Sequence, residues 1–273
     1  MGSGTLSPRQ HEGDLPVFLV LALTLGALIG VLLGLLGGGG SILAVPALVY
    51  VLGLGIEQAI PVSLFVVGVA SAVGALPKIR AGQVQWRLAA IFAVAGIPAT
   101  FAGSAIGRHL PQPALLCGFA IVMVVAGIRM LRVADNTGTA CKVGDSGINW
   151  RRCASRSIPA GLLVGLLTGL FGVGGGFLII PVLVLMLGVE MSVAIGTSLL
   201  IIVANSLVGI LSHVSGISID WTMTAAFVGA SIVGSLLAGH FGTRLDTRRL
   251  QHWFAYLVFA VAAYVLIDTI LVR

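Results

Sequence analysis

A shift of 135 positions lays the second half of this chain over its first half without a gap. Gly34–Pro46, GLLGGGGSILAVP, falls on Gly169–Pro181, GLFGVGGGFLIIP, with seven of thirteen positions identical. The same shift pairs Gly26 with Gly161, Gly30 with Gly165, Ser63 with Ser198, Ser71 with Ser206, Trp86 with Trp221 and Gly107 with Gly242. A chain built this way must fold as two copies of one unit. Glycine-interrupted apolar segments at matching places in two halves point to a membrane transporter whose site lies between the repeats.

Composition fixes the environment. Hydrophobic residues make up 58% of the chain and charged residues only 9%, against roughly 25% charged in soluble domains. An all-α, polytopic membrane helical bundle is expected, built from two inverted five-segment repeats. The first-half segments are Pro16–Leu36, Ser41–Leu54, Ala59–Leu76, Leu88–Ile106 and Ala114–Leu131. Their counterparts are Ile158–Phe171, Phe177–Leu187, Val193–Leu211, Met223–Phe241 and Leu250–Leu271. Residues 1–15 form a polar tail, 16–132 the first repeat, 133–157 a cytoplasmic linker and 158–273 the second repeat. The polar start runs directly into the first apolar span, which reads as a span and not a removable leader.

The second segment of each half is too short to cross a bilayer core as a straight helix, which needs about 20 residues. Bare backbone at that depth is tolerated only inside protein or beside a wet cavity, so broken or re-entrant helices are expected at both glycine clusters. With ten crossings, Lys and Arg divide twelve inside and three outside, with both termini outside. With two re-entrant segments and eight crossings the division is eleven to four, with both termini inside. Both arrangements stay open at this level.

The net charge of +6 follows from basic residues on the inner membrane face, not from a nucleic-acid partner. The expected partners are the lipid bilayer and a small anionic substrate, and a homodimer is an arrangement the sequence leaves open. Cys141 and Cys153 in the linker and Cys117 in a span are expected as free thiols in a reducing compartment. Two lone cysteines do not make a zinc site, and no cofactor is implied.

The glycines divide into two jobs. Gly26, Gly30 and Gly34, repeated as Gly161, Gly165 and Gly169, sit four apart and let another helix approach closely. The runs Gly37–Gly40 and Gly172–Gly176 are poor helix formers placed before short apolar helices. The first amides of such a helix lack intrahelical acceptors, and its dipole presents positive potential. These are features of an oxyanion seat, although tight turns between helices would look the same in sequence. The candidate ligands are Gly38, Gly39, Gly40, Ser41, Gly174, Gly175 and Gly176.

Ser63 and the pair Thr197 and Ser198 occupy matching positions behind Pro61 and Gly196 and are second-choice ligands. Asn205 is the most polar side chain deep in a span and serves equally as interhelix glue or as ligand. His213 titrates near neutral pH and could carry a coupled proton. No Asp, Glu, Lys or Arg falls within the middle of any segment, which favours an anionic over a cationic substrate. An intramembrane enzyme would need a nucleophile with a base, or a metal cluster, and the segments hold neither. A passive anion channel could use the same residues.

The paired stretches ending in Ile-Leu-Ala-Val-Pro46 and Leu-Ile-Ile-Pro181, the Ala59–Ser63 and Ala194–Ser198 pair, and the segment before Trp221 resemble the sulfite exporter family, also called TauE/SafE. The resemblance covers about Val17 to Leu271. It implies a multi-pass permease of the bacterial inner membrane that moves sulfite, organosulfonates or related small organic anions, with small carboxylates as an alternative cargo. The halves differ at Gly38 and Val173, at Ser41 and Gly176, and at Pro61 and Gly196, so they need not contribute ligands equally.

Overall fold

A computed structural model describes residues 11–48, 56–107, 109–132, 150–171, 176–213, 221–242 and 246–271. Every regular element among them is helical. The first half holds α1 (His11–Leu36), α2 (Gly39–Pro46), α3 (Ile56–Arg80), α4 (Trp86–Gly107) and α5 (Gln112–Arg132). The second half holds α6 (Trp150–Phe171), α7 (Gly176–Leu185), α8 (Met191–His213), α9 (Trp221–Gly242) and α10 (Thr247–Leu271).

Among the described residues, four stretches are long and apolar enough to cross a membrane: Pro61–Arg80, Trp86–Gly107, Cys153–Leu170 and Met191–Ile210. Large apolar side chains such as Val94, Ile121, Phe101 and Leu207 stand on the outside of the bundle. A lipid-facing surface requires that arrangement, while backbone polarity is satisfied within each helix. The eight-residue α2 and ten-residue α7 are about 12 and 15 Å long at 1.5 Å per residue, half or less of a roughly 30 Å hydrocarbon core.

The spaced glycines do the packing expected of them, and they do it in the symmetry of the sequence shift. A Cβ on Gly26 would meet the Phe227 carbonyl at 2.6 Å, one on Gly30 the Ser231 carbonyl, and one on Gly34 the Ser235 carbonyl. On the equivalent faces, Gly161 meets Phe92, Gly165 meets Gly96 and Gly169 meets Thr100. Phe92, Gly96 and Thr100 are the residues 135 positions before Phe227, Ser231 and Ser235. The α1/α9 contact is thus rebuilt as α6/α4, with backbone against backbone at each step.

These pairs also give direction. Gly26 with Phe227 and Gly34 with Ser235 make α1 and α9 parallel. Ser235 Oγ donates to the Ala70 carbonyl at 2.8 Å, and Gly239 lies against Pro77, so α3 runs parallel to α9 as well. Gly68 meets Ser206 while Gly209 meets Leu64, so α3 and its sequence equivalent α8 run antiparallel. Gly127 against Phe259, with Gln251 Nε2 donating to the Met130 carbonyl at 2.6 Å, makes α5 and α10 antiparallel too.

One expectation fails. Cys117 is a free thiol, but Cys153, buried near the start of α6, is disulfide-bonded. Sequence spacing carries no Cα separation, which is what a disulfide requires.

Candidate functional site at the helix breaks

The first break occupies two residues. Gly37 has φ +64 and its N–H donates to the Leu33 carbonyl at 2.8 Å, so it ends α1 in a left-handed cap. Gly38, with φ −66 and ψ −12, is the N-cap of α2 and supplies no side chain to its first turn. Ser41 Oγ turns back to donate to the Gly38 carbonyl at 2.7 Å. No acidic residue stands in that first turn. The α2 N-terminus therefore keeps its positive dipole end free of carboxylate.

The two breaks lie against each other. A Cβ placed on Gly176, the first residue of α7, would meet Ser41 Oγ at 2.8 Å and Ile202 Cδ1 at 2.8 Å. A Cβ on Gly37 would meet Ser198 Oγ at 2.6 Å and Ile180 Cδ1 at 3.0 Å. Residues from α2, α7 and α8 thus converge at the break, and each glycine there admits a close contact that a side chain would block.

Thr197 and Ser198 are buried on α8 beside this point. Ser198 Oγ donates to the Ile195 carbonyl at 2.8 Å, and Thr197 Oγ1 accepts from the Gln85 backbone N–H at 3.1 Å. Ser63 is buried on α3, and Asn205 is half-buried two turns after Ser198 on α8. Gly39 lies in the first turn of α2. Gly40 packs back on α1, where a Cβ would meet the Ile29 carbonyl and Leu33 Cγ, both at 2.6 Å. Gly174 and Gly175 lie outside the described residues, as does the side chain of His213, the last residue of α8.

Sequence reading missed one group. Helix α3 continues four residues past its apolar stretch, to Arg80, and carries Lys78 inward. Lys78 is 0% exposed, the one charged side chain among the described buried residues, and its Nζ has no hydrogen-bond partner. The turn that follows has two more unpartnered buried atoms, Gln83 Oε1 and Gln85 Oε1. The signal in the sequence was Gly82-Gln83-Val84-Gln85, a polar stretch bounded by Trp86. Among the described residues no group of three His, Cys, Asp or Glu could hold a metal.

Residues 22–265 match the family model described as Sulfite exporter TauE/SafE. A Xylella fastidiosa (strain Temecula1) protein named "Probable membrane transporter protein" is 37% identical over 251 residues, which cover 91% of this chain and 95% of that protein. "Probable membrane transporter protein YunE" of Bacillus subtilis is 26% identical over 248 residues, 85% of this chain and 91% of that one. "Probable membrane transporter protein MJ0441" of Methanocaldococcus jannaschii is 34% identical over 113 residues, 39% of this chain and 42% of that one. No solved structure matches the chain. With the family model spanning nearly all of the helical bundle, the chain belongs to the sulfite exporter TauE/SafE family and is a membrane transporter.

Proposed function

We propose that this transporter carries a small oxyanion, sulfite or an organosulfonate, by alternating access between two inverted repeats. The observation that carries the proposal is the meeting of the two breaks, Ser41 Oγ against Gly176. In this reading Gly38, Gly39, Ser41, Gly174, Gly175 and Gly176 present backbone N–H groups and one hydroxyl, with Ser63, Thr197, Ser198 and Asn205 around them. Helix starts and hydroxyls suit an anion that would be repelled by carboxylates, and the buried side chains described include no Asp or Glu.

The inverted arrangement is supported by the antiparallel course of α3 and α8, which are equivalent in sequence. Ten crossings are supported over eight because α1 and α3 both run parallel to α9; a re-entrant second segment would turn α1 and α3 in opposite directions. A place in a bacterial membrane is supported by the relatives in Xylella fastidiosa and Bacillus subtilis, both named as membrane transporters.

A thermal-unfolding screen of the purified protein against sulfite, thiosulfate, sulfoacetate, taurine and short carboxylates tests the substrate class. A ligand held at 100 times its Kd stabilises by about 2.7 kcal/mol, a readily measured rise in melting temperature. A rise with sulfite or a sulfonate is expected. No rise with any sulfur oxyanion, or a rise with carboxylates alone, overturns the reading.

A further inference from the structure

Lys78 is set apart from every other charged group described. Its ammonium is fully buried in α3 and unpartnered, and a buried charge without a counter-charge is costly enough that folded proteins pair it or neutralise it. Its surroundings are organised. Gly82, at φ +69, donates to the Ile79 carbonyl at 3.0 Å, and Gln83 N–H donates to the Lys78 carbonyl at 2.9 Å. That paired closure ends α3 and ties the Gln83 backbone to its last turn.

The same turn is clamped on α8. The Gln83 carbonyl and Val84 fill the space where Gly196 lacks a side chain, and Gln85 N–H donates to Thr197 Oγ1 at 3.1 Å. From the other direction, Gly37 of the first break lies against Ser198 Oγ and Ile195 of α8. Residues 195–198 are therefore shared between the helix break and the turn carrying Gln83 and Gln85. One side offers backbone N–H groups, and the other is the turn that follows Lys78 and carries two glutamines with buried, unpartnered amide oxygens, whose terminal groups can turn over without changing shape.

We infer that Lys78 is the fixed counter-charge of the transported oxyanion, binding it from the α3–α4 turn with Gln83 and Gln85 as polar walls. The inference rests on the oxyanion reading above. It also accounts for an ammonium in a fully buried position that disfavours one: the anion supplies the missing charge in the loaded state. The shift of 135 positions gives His213 as the second-half equivalent of Lys78, and because α3 and α8 run antiparallel the two positions fall toward opposite ends of the helix pair.

The test uses purified full-length protein with Lys78→Met and Lys78→Gln, measuring thermal unfolding with and without sulfite, and with ethanesulfonate as a second probe. Removing an uncompensated ammonium should leave the melting temperature without anion unchanged or higher. The sulfite concentration giving half the maximal rise should increase at least about tenfold, as expected for loss of a charge-assisted hydrogen bond. A half-saturation like that of the parent overturns the inference and leaves the oxyanion reading standing. Variants that both fail to fold, or both melt well below the parent, show a structural lysine and also overturn it. A parent protein that responds to neither anion removes the oxyanion reading, and this inference with it.

Discussion

Ser41 and Gly176 are the same position in the two halves, 135 residues apart, and they touch: Ser41 Oγ is 2.8 Å from where a Gly176 Cβ would stand. The start of α7 therefore lies against the first turn of α2, so positions that are equivalent in sequence are neighbours in space. The residues are not equal there. One half brings a hydroxyl and the other brings space, so the hydroxyl of the first repeat occupies room that the glycine of the second provides.

Gly176→Ala should fill that room. The added methyl meets the ends of two movable side chains, Ser41 Oγ and Ile202 Cδ1, so the fold persists with a loss of about 1–3 kcal/mol for overpacking. Adding Ser41→Ala removes one of the colliding atoms. The double variant should regain part of the loss, giving a non-zero coupling in a thermal double-mutant cycle. Strict additivity of the two changes would show that the breaks do not meet as described.

Much of this architecture was legible in the sequence, because each half repeats not only residues but contacts. Gly30 and Gly165 were readable as packing positions from their spacing, and the structure places backbone carbonyls against both. The short second segments were readable because α2 and α7 are each too short to cross a bilayer core as one straight helix. Lys78 was not legible: a Lys and an Arg after an apolar run look like a basic cytoplasmic loop, and only the course of α3 to Arg80 shows one of them buried. Nor could residue type alone separate Gly37, which takes the left-handed turn, from Gly38, which starts the next helix, or Gly40, which packs on α1.

Gly30→Ala and Gly165→Ala should each be severely destabilising, because the new Cβ would run into backbone, the Ser231 carbonyl in one case and the Gly96 carbonyl in the other. Backbone cannot rotate aside as a side chain can, so losses at the upper end of about 1–3 kcal/mol are expected for each. Gly229→Ala is the control. It lies in α9 with nothing within 4 Å of its Cβ position, and alanine favours helix over glycine by up to about 1 kcal/mol. Melting temperatures of the three variants should place Gly229→Ala at or above the parent and the other two well below it. Equal effects at all three would show that helix propensity, not close approach, governs these glycines.

Two left-handed glycines separate backbone strain from crowding. Gly82 at φ +69 has open space around it, whereas Gly37 at φ +64 faces Ser198 Oγ at 2.6 Å. Alanine at Gly82 should cost only the left-handed strain, about 1–2 kcal/mol. The same change at Gly37 should cost more and should also impair anion binding, since it displaces a hydroxyl at the break. Unfolding and sulfite response of Gly37→Ala and Gly82→Ala, compared side by side, check both halves of the expectation.

Thr197→Val tests whether the α3–α4 turn is held by the hydroxyl that accepts the Gln85 N–H at 3.1 Å. Valine keeps the shape and removes the acceptor, leaving a partly buried backbone donor without its partner. A stability loss of about 1–3 kcal/mol is the usual consequence, and loosening of the turn should lower transport as well. Thr197→Ser keeps an oxygen on Cβ and gives up only a methyl group, so it should retain most of the transport and most of the stability. Proteoliposome uptake and thermal unfolding of the two variants distinguish the roles: if valine and serine behave alike, the hydroxyl does not hold the turn, and the link between Gln85 and the break is packing alone.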